Sequence, residues 1–490
     1  MLIEKVSQMF SSRKAAGMLA ALFFGYLCSG MLIKSPAPFI VMLSYVALVI
    51  FFQNRLKAAI YIYLFAVFFI PPTIGIETRA MLFNIDRLIL AVILGSWAVM
   101  LSRGRTKVCA TPVDAQFILY LAVISISALW NIDSILTNGD LAKSIKKISV
   151  ISLERILVVY VIISVLKTRA EIRRMLSFII LCLSIVAAYG IFESAVRDNI
   201  FLRIKTIKNP KVIETTFSKA IRFGLYRAKS TQVLPHIFGT ALCMILPLQI
   251  FYFLYQNGKA RLLAALAMVL TIGGIAVTYT RGVYIACALG VSLSFIFLKN
   301  ISKKMMLIGL IACILFIGLQ NQRVVTFCTE YIAKLLNPST AAFDREHSLQ
   351  GRMSDYRFTV SRMKNRLLLG QGYGTYTAGA GFDQYLDNAY LYALIETGIV
   401  GFAVFLFLIY GIVFKIGRLL IKYQERDFDI YMCRFIHIGL IVFFFQCLTY
   451  DAFVFAGASK LFWILLGLLL AYLKFSEETI DGYINSNSKL

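Results

Sequence analysis

The sequence predicts an all-α polytopic membrane protein. Of its 490 residues, 59% are hydrophobic and only 15% are charged, and the mean hydropathy is +0.78. Soluble globular proteins are about 45–50% apolar and about 25% charged. These deviations, together with repeated apolar runs near the roughly 20 residues that cross a bilayer, exclude a soluble enzyme and a disordered chain. We expect residues 1–490 to form a single integral-membrane domain.

Apolar runs bounded by charged residues predict about fourteen transmembrane helices. The predicted spans are 15–33, 37–53, 58–72, 83–101, 114–130, 148–166, 174–193, 234–255, 262–279, 283–298, 304–320, 389–414, 431–449 and 457–474. No clear cleavage site follows the first run, so we expect it to remain as an uncleaved span. Asp86 and Arg87, at the start of span 83–101, could form an internal ion pair.

Positive charge sorts the loops into two sides. Lys and Arg number 50 against 25 Asp and Glu, and cations fill every second loop, as cytoplasmic loops do. This pattern predicts that both termini are cytoplasmic, although the loop with Lys143, Lys146 and Lys147 fits it less well. No soluble basic domain is present to bind nucleic acid. The nine cysteines are scattered singly, which predicts neither disulfides nor a metal site.

Two long loops are predicted on the extracytoplasmic side, at residues 194–233 and 321–388. The first is strongly basic, which targeting does not explain, and a cationic surface there would attract an anionic ligand. The alternative is a solvated loop resting on lipid headgroups. Its end, from Arg227 to His236, is followed by an apolar span. Glu193 and Asp451, at the outer ends of other spans, are weaker candidates to line a cavity.

A further cation, Arg281, joins two apolar spans almost without a loop in the run Thr278-Tyr-Thr-Arg281-Gly282. A charged side chain at the interface is tolerated when it snorkels, pairs or serves a site. The guanidinium fork suits diphosphate oxygens because it offers bidentate hydrogen bonds.

The second long loop contains Gly351-Arg352, then Arg362 and Arg366, which could share one side of an amphipathic helix. A turn with Gly370, Gly372 and Gly374 follows, and then Asp387-Asn388 leads into a helix with Glu396-Thr-Gly398-Ile-Val-Gly401. The glycines permit a tight turn or a close ligand approach. They do not form a phosphate-binding P-loop, because no Gly-Lys-Ser/Thr follows them.

These motifs, in this order, resemble the core of the O-antigen ligase/polymerase superfamily. That family carries a Gly-Arg pair, a Leu-Gly-x-Gly turn, and His-Asn or Asp-Asn before a helix with Glu-x-Gly-x-x-Gly. Arg281-Gly282 resembles its Ser-Arg-Gly element, and Arg227 to His236 resembles its Arg-x-x-Gly-Thr-x-x-x-Pro-Asn element. The departures are Lys229-Ser230 and His236, which stand where the family has small residues and asparagine.

The resemblance implies a glycosyltransferase of C-type architecture in the bacterial cytoplasmic membrane. Its substrate would be an oligosaccharide carried by undecaprenyl diphosphate, presented among membrane lipids at the outer face. An acceptor hydroxyl would displace undecaprenyl diphosphate with inversion, without a nucleotide sugar, metal or other cofactor. A polysaccharide chain-length regulator is a candidate partner.

The same chemistry assigns roles to individual residues. Cations would stabilise the charge that grows on the leaving diphosphate, and a carboxylate would accept or orient the acceptor hydroxyl. The catalytic candidates are Asp387, Arg281 and Arg352. The substrate-binding candidates are Arg227, Arg222, Arg362, His236, Asn388 and Tyr373, the last by stacking on sugar rings. For Asp387 the alternative is a structural helix N-cap.

Within the family, Asp387 stands where ligases carry histidine, which favours a polymerase of lipid-linked repeat units. The alternative is a ligase that transfers the glycan to lipid A-core. The alternative from another class is a lipid-linked oligosaccharide flippase, for which cations should lie at mid-membrane depth.

Overall fold

The computed structural model describes most of the chain, and it is mostly helical, in agreement with the predicted fold class. The described residues are 38–72, 74–77, 82–202, 221–222, 225–298, 351–364, 366–376, 386–422 and 428–487. The predicted spans at 15–33 and 304–320 lie outside them, as do half of the loop 194–233 and most of the loop 321–388.

The first half of the described chain contains eight helices, listed here with our numbering: α1 (Pro38–Phe52), α2 (Leu56–Phe69), α3 (Ile85–Ser102), α4 (Asp114–Trp130), α5 (Ile132–Thr137), α6 (Leu141–Ser149), α7 (Leu157–Val165) and α8 (Arg169–Val196). A π-helical stretch, Val150–Ile156, joins α6 to α7 as one continuous helix. Two short antiparallel hairpins are present, β1 (Gly75–Glu77) with β2 (Leu82–Asn84) and β3 (Ile221–Arg222) with β4 (Leu225–Tyr226). A 3₁₀ turn covers Ile200–Leu202.

The second half contains eight more described helices: α9 (Pro235–Tyr255), α10 (Gly258–Ala276), α11 (Arg281–Phe297), α12 (Gly351–Met363), α13 (Ala389–Tyr410), α14 (Ile416–Lys422), α15 (Phe428–Gln446) and α16 (Ala456–Asn487). A π-helical turn at Gly411–Lys415 joins α13 to α14. Helices α9, α15 and the apolar part of α16 are the most buried of the candidate spans, so they form the centre of the described bundle.

Within the described residues, 8 helices are long and apolar enough to cross a membrane, or up to 9 if a bent pair is counted as one span. The bent pair is formed by residues Tyr45–Phe52 and Leu56–Phe69, which meet at 120°. The polar run Gln53-Asn54-Arg55 interrupts the apolar sequence at this bend. The sequence predicted two separate spans here, and the total of fourteen stays a prediction.

Contacts among loops divide the described bundle into two ends. At one end, which we call the basic end, Lys57 binds Glu171 at 2.5 Å and Arg103 donates to Gln53 Oε1 at 2.6 Å. Lys415 donates to the carbonyl of Pro112 at the same end. The loops in these contacts are those that positive charge assigned to the cytoplasm.

The opposite end, which we call the motif end, gathers the loops that carry the sequence motifs. Thr231 Oγ1 donates to Phe68 O at 2.6 Å, and Gln446 Nε2 donates to Gly282 O at 3.2 Å. Ser144 Oγ donates to Tyr373 O at 2.5 Å. The two sets of loops therefore segregate as charge predicted, while the side of the membrane that each faces remains a prediction.

Acidic and basic side chains inside the spans form ion pairs between helices. Arg87 Nε lies 2.8 Å from Glu154 Oε1, and Asp86 pairs with Lys460. Asp86 and Arg87 thus take partners on other helices, which their adjacency in sequence did not indicate. Pairing of this kind is expected because an isolated charge in a low-dielectric interior is costly.

Helix α13 is broken at Gly398, and a preceding turn fills the break. Gly398 has φ 66° and ψ −167°, a conformation open to glycine almost alone. The freed backbone groups bond to the turn: Ile399 N donates to Leu367 O at 2.9 Å, and Gln371 N donates to Ile395 O at 3.0 Å. We call residues 367–374 the motif turn.

We predict that Gly398→Ala destabilises the protein far more than a matched glycine substitution. A Cβ at 398 would lie 2.3 Å from Leu368 O, so steric overlap adds to a backbone cost of about 1–3 kcal/mol. Gly104 has a φ of +67° with nothing within 4 Å of a Cβ, so Gly104→Ala should cost about 1–2 kcal/mol. Thermal unfolding of the purified variants in detergent measures the difference. Equal melting temperatures would show that the break tolerates a side chain.

Candidate functional site

Hydroxyl groups on two helices that lie far from the motif turn in sequence bond to it. Ser127 Oγ on α4 lies 2.8 Å from Leu369 O and 2.8 Å from Glu396 O. Ser144 on α6 reaches the carbonyl of Tyr373. One hydroxyl therefore lies between the turn and the broken helix, and a second fixes the far side of the turn.

Charged and aromatic side chains come together at the motif turn. We call this group the Lys147 cluster: Lys147, Tyr373, Tyr392, Glu396 and Asp451. Lys147 Nζ lies 2.8 Å from both Glu396 carboxylate oxygens. It also lies 5.2 Å from the ring centroid of Tyr373 and 5.5 Å from that of Tyr392. Glu396 is only 1% exposed. The ion pair explains one of the three cations that fitted the loop-charge pattern poorly, because Lys147 pairs inside the protein.

Asp451 completes this cluster electrostatically. It is 8% exposed, and it interacts with the charges of Lys147 and Glu396. Burial, the largest cause, and the nearby carboxylate of Glu396 raise the pKa of Asp451 to about 6, against the opposing effects of Lys147 and of the backbone N–H groups of Val454 and Phe453. The aspartate therefore titrates close to neutral pH.

Tyr373 belongs to the motif turn, and its side chain lies in the core. It is 5% exposed, and burial, reinforced by nearby Tyr120 and Glu396, raises its pKa well above its ordinary value. Its ring faces Lys147. This position favours a role in holding the turn, whereas the sequence suggested stacking on sugars.

A second part of the motif end is built around Arg227. Its Nε donates to Thr278 O at 3.1 Å, and its Nη2 donates to Thr280 Oγ1 at 2.8 Å. The backbone follows the same path, because Ala228 N donates to Val277 O at 3.0 Å. Arg227 is thereby fixed against the segment that ends in Arg281, so the two arginine-bearing motifs adjoin.

Glu193 anchors the segment that carries Arg227. Its carboxylate accepts from Ser230 N at 2.6 Å, from Lys229 N at 3.2 Å and from Tyr226 Oη at 3.1 Å. Burial lowers the pKa of the Lys229 side chain, and Glu193 opposes that shift. The sequence signal for this anchor was an acidic residue at the end of an apolar span, and it did not reveal the partners.

His236 begins α9 against aromatic side chains. Its ring centroid lies 4.5 Å from that of Tyr450 and 5.9 Å from that of Phe455. Among the described residues, its Nε2 is a buried atom without a hydrogen-bond partner. This nitrogen is the candidate polar contact at the position where the family has asparagine.

Residues 446–449, at the end of α15, join the two motif groups. Gln446 donates to the carbonyl of Gly282, and a Cβ on Gly282 would meet Thr449 at 3.2 Å. Ala389 N donates to Cys447 O at 2.9 Å. Gly282, which follows Arg281, and Ala389, which follows Asp387-Asn388, therefore contact the same four residues, although about a hundred residues separate them in sequence.

The cap of α13 is Asn388, whose Oδ1 accepts from Tyr390 N at 2.9 Å and Leu391 N at 3.3 Å. Asp387, for which the sequence allowed a capping role, precedes the cap and is exposed. Asn388 is buried. The two residues therefore have different roles. The side-chain amide of Asn388 caps the helix, and the carboxylate of Asp387 lies at the protein surface.

Helix α12 carries the remaining predicted cations. Its described inner face holds Asp355, Thr359 and Met363, all buried. Arg362 is exposed on the helix, with its guanidinium carbon 5.6 Å from the Phe358 ring centroid. The helix ends at Met363, so Arg366 lies beyond it. The side chains of Arg222 and Arg352 lie outside the described part of the structure.

Comparison with known proteins gives one family. Residues 266–406 match the family model described as O-antigen ligase. This region contains Arg281, α12, the motif turn and the break in α13, and the match confirms the resemblance that the motifs indicated. No curated protein matches the chain. Within the described residues, no group of three or more His, Cys, Asp or Glu side chains could hold a metal ion.

We predict that Asp451→Asn changes the pH dependence of stability. Because the pKa of Asp451 in the folded protein is raised from 3.8 to about 6, the folded state favours the protonated carboxyl. Its stabilisation is present below about pH 4 and is lost as pH rises through about 6. The melting temperature of the variant relative to the parent should therefore rise between about pH 4 and about pH 7.

Asp133→Asn, which removes an exposed carboxylate at the same end, controls for the change in net charge. A pH-independent offset between Asp451→Asn and the parent would contradict a raised pKa. Melting temperatures in a detergent buffer series decide between the two results.

Proposed function

Because residues 266–406 carry the domain of the O-antigen ligase family, we propose that this protein is a membrane glycosyltransferase that polymerises oligosaccharide repeat units linked to undecaprenyl diphosphate. The observation that supports the proposal is that Gly282, next to Arg281, and Ala389, next to Asp387-Asn388, both bond to residues 446–449. In this proposal Arg281 would supply a cation for the diphosphate, and Asp387 would supply a carboxylate for the hydroxyl, from neighbouring segments. The proposed location is the bacterial cytoplasmic membrane, with the motif end outward.

The cations at the motif end would bind the donor's diphosphate. As the bond between the anomeric carbon and the diphosphate oxygen breaks, negative charge grows on the leaving group, and fixed cations stabilise it. Arg281 is the first candidate, and Arg227 adjoins it through Thr278 and Thr280. Arg352, at the start of α12, is the third candidate, with Arg222 and Arg362 as alternatives.

Asp387 would act on the acceptor. A hydroxyl of the acceptor sugar attacks the anomeric carbon, a new carbon–oxygen bond forms with inversion, and undecaprenyl diphosphate leaves. The hydroxyl proton passes to the carboxylate of Asp387, which is exposed just before the start of α13. Asn388 fixes the backbone next to it by closing the helix, so the base is held on a rigid support.

The choice of polymerase rests on Asp387, which occupies the position where ligases of the family carry histidine. A ligase that transfers the glycan to lipid A-core is the second candidate, because the matched family model, described as O-antigen ligase, is compatible with either reaction. Both reactions use the same donor and leaving group. They differ in the acceptor, which is a lipid-linked repeat unit for the polymerase.

A flippase fits the described charges less well. Arg87 and Lys460, two basic residues inside the spans, pair with Glu154 and Asp86. Arg155, near the middle of the span Leu141–Val165, is buried beside Glu154. The charges of Arg87 and Lys460 are therefore balanced within the protein, whereas the Nε and Nη1 atoms of Arg155 are buried without a hydrogen-bond partner among the described residues. Arg227 and Arg281 lie at the motif end, where an enzyme acting at the surface needs them.

We predict that deleting the gene in its host removes the polysaccharide ladder and leaves single repeat units on lipid A-core or undecaprenyl diphosphate. The parent chain should restore the ladder, and Asp387→Ala should not, because the acceptor hydroxyl loses its base. Gel analysis of lipid-linked and surface glycans measures both. Long chains on undecaprenyl diphosphate would identify a ligase, and single units trapped on the cytoplasmic side would identify a flippase.

We predict that Arg281→Ala lowers ladder synthesis at least about 100-fold, as expected when a charged contact to a leaving group is removed. Arg281→Lys should keep part of the activity, because it preserves the charge without the bidentate fork. Arg261→Ala, at the exposed start of α10 on the basic end, is the matched control and should keep full activity. Full activity in Arg281→Ala would assign the arginine a structural role.

A further inference from the structure

We infer that Lys147 is a positioning residue for the proposed transfer reaction: its ion pair with Glu396 keeps the motif turn inserted in the break of α13. This inference rests on the proposed function. Lys147 does not lie in the matched region 266–406, so the residue that secures the family motif comes from a separate part of the chain.

The geometry of the ion pair links Lys147 to the motif turn. Lys147 Nζ is equidistant, at 2.8 Å, from both carboxylate oxygens of Glu396. Glu396 lies two residues before Gly398, and its own backbone carbonyl accepts from Gly372 N at 3.1 Å. One residue therefore binds the turn through its backbone and Lys147 through its side chain. A change at Lys147 therefore reaches the turn through Glu396, as well as through its contact with the ring of Tyr373.

The Lys147–Glu396 ion pair is largely shielded from solvent. The side chain of Glu396 is 1% exposed and that of Lys147 is 25% exposed. Removing one partner of a buried ion pair leaves an uncompensated charge, which is more damaging than losing an exposed pair. The carboxylate would then have to take up a proton, seek water or find a new partner.

A small apolar cluster connects the motif turn to the segments that carry the proposed reacting groups. Tyr376, Leu386, Leu391 and Ile395 form a small buried apolar cluster, and Phe358 of α12 packs against it. This cluster joins the end of the turn to the first turns of α13, beside Asp387. Displacing the turn would therefore move both Asp387 and the helix that carries Arg352.

The experiment compares Lys147→Met, Lys147→Arg and the charge exchange Lys147→Glu with Glu396→Lys. The matched control is Lys143→Met, one helical turn away on α6, where Lys143 pairs with Asp140 at 2.7 Å and is 50% exposed. Each variant is expressed in the deletion strain and scored for the glycan ladder. Each is also purified for thermal unfolding and for hydrogen exchange at the amides of Gln371, Gly372, Ile399 and Val400.

We expect Lys147→Met to lower ladder synthesis at least about tenfold and to raise exchange at those four amides at least about tenfold. Exchange in α9 and α15, at the centre of the bundle, should stay unchanged. Lys147→Arg and the charge exchange should restore part of both properties, and Lys143→Met should match the parent. Rescue by charge separates positioning from simple loss of packing.

Two results would overturn the inference. One is unchanged exchange at the four amides in a folded Lys147→Met protein, and the other is failure of both Lys147→Arg and the charge exchange to restore it. If the parent chain itself makes no ladder, the proposed function fails, while the exchange data still decide whether Lys147 holds the turn. If Lys147→Met does not fold, the two charge-preserving variants supply the comparison.

Discussion

The break in α13 at Gly398 is the constraint on which the motif end depends. A helix inside a membrane protein must satisfy its backbone groups internally, because lipid offers no hydrogen bonds. At this break the satisfaction comes from the motif turn, whose carbonyls at Leu367 and Leu368 accept from Ile399 and Val400. Turn and helix are therefore one structural unit. Neither has a complete set of hydrogen bonds without the other.

Charge inside the bundle serves the same unit. Lys147 pairs with Glu396, which lies two residues before the break. Asp451 adds a carboxyl whose pKa is raised, mainly by burial, to about 6. Such groups are costly to bury singly and become tolerable in mutual contact. These buried charges thus lie where a turn must be held in one position. The exposed Asp387 is close to this support without belonging to it.

The family motif and its support have separate origins in the chain. The matched region, 266–406, supplies Arg281, the motif turn and the broken helix. The hydroxyls of Ser127 and Ser144 and the ammonium of Lys147 come from earlier helices. A motif can thus be recognisable in sequence over a third of the chain or less while its geometry depends on residues elsewhere.

The sequence by itself indicated the membrane class, the approximate helices and the resemblance to the O-antigen ligase family, because apolar runs, loop charges and short motifs are local properties. It also predicted that Arg227, Arg281 and Asp387 act in one site. Only the tertiary structure decided that Asn388 caps α13, that Tyr373 is buried, and that Lys147 and Glu396 pair across 249 residues of sequence. Pairing partners for buried charges depend on which helices pack together, and no local pattern specifies that packing.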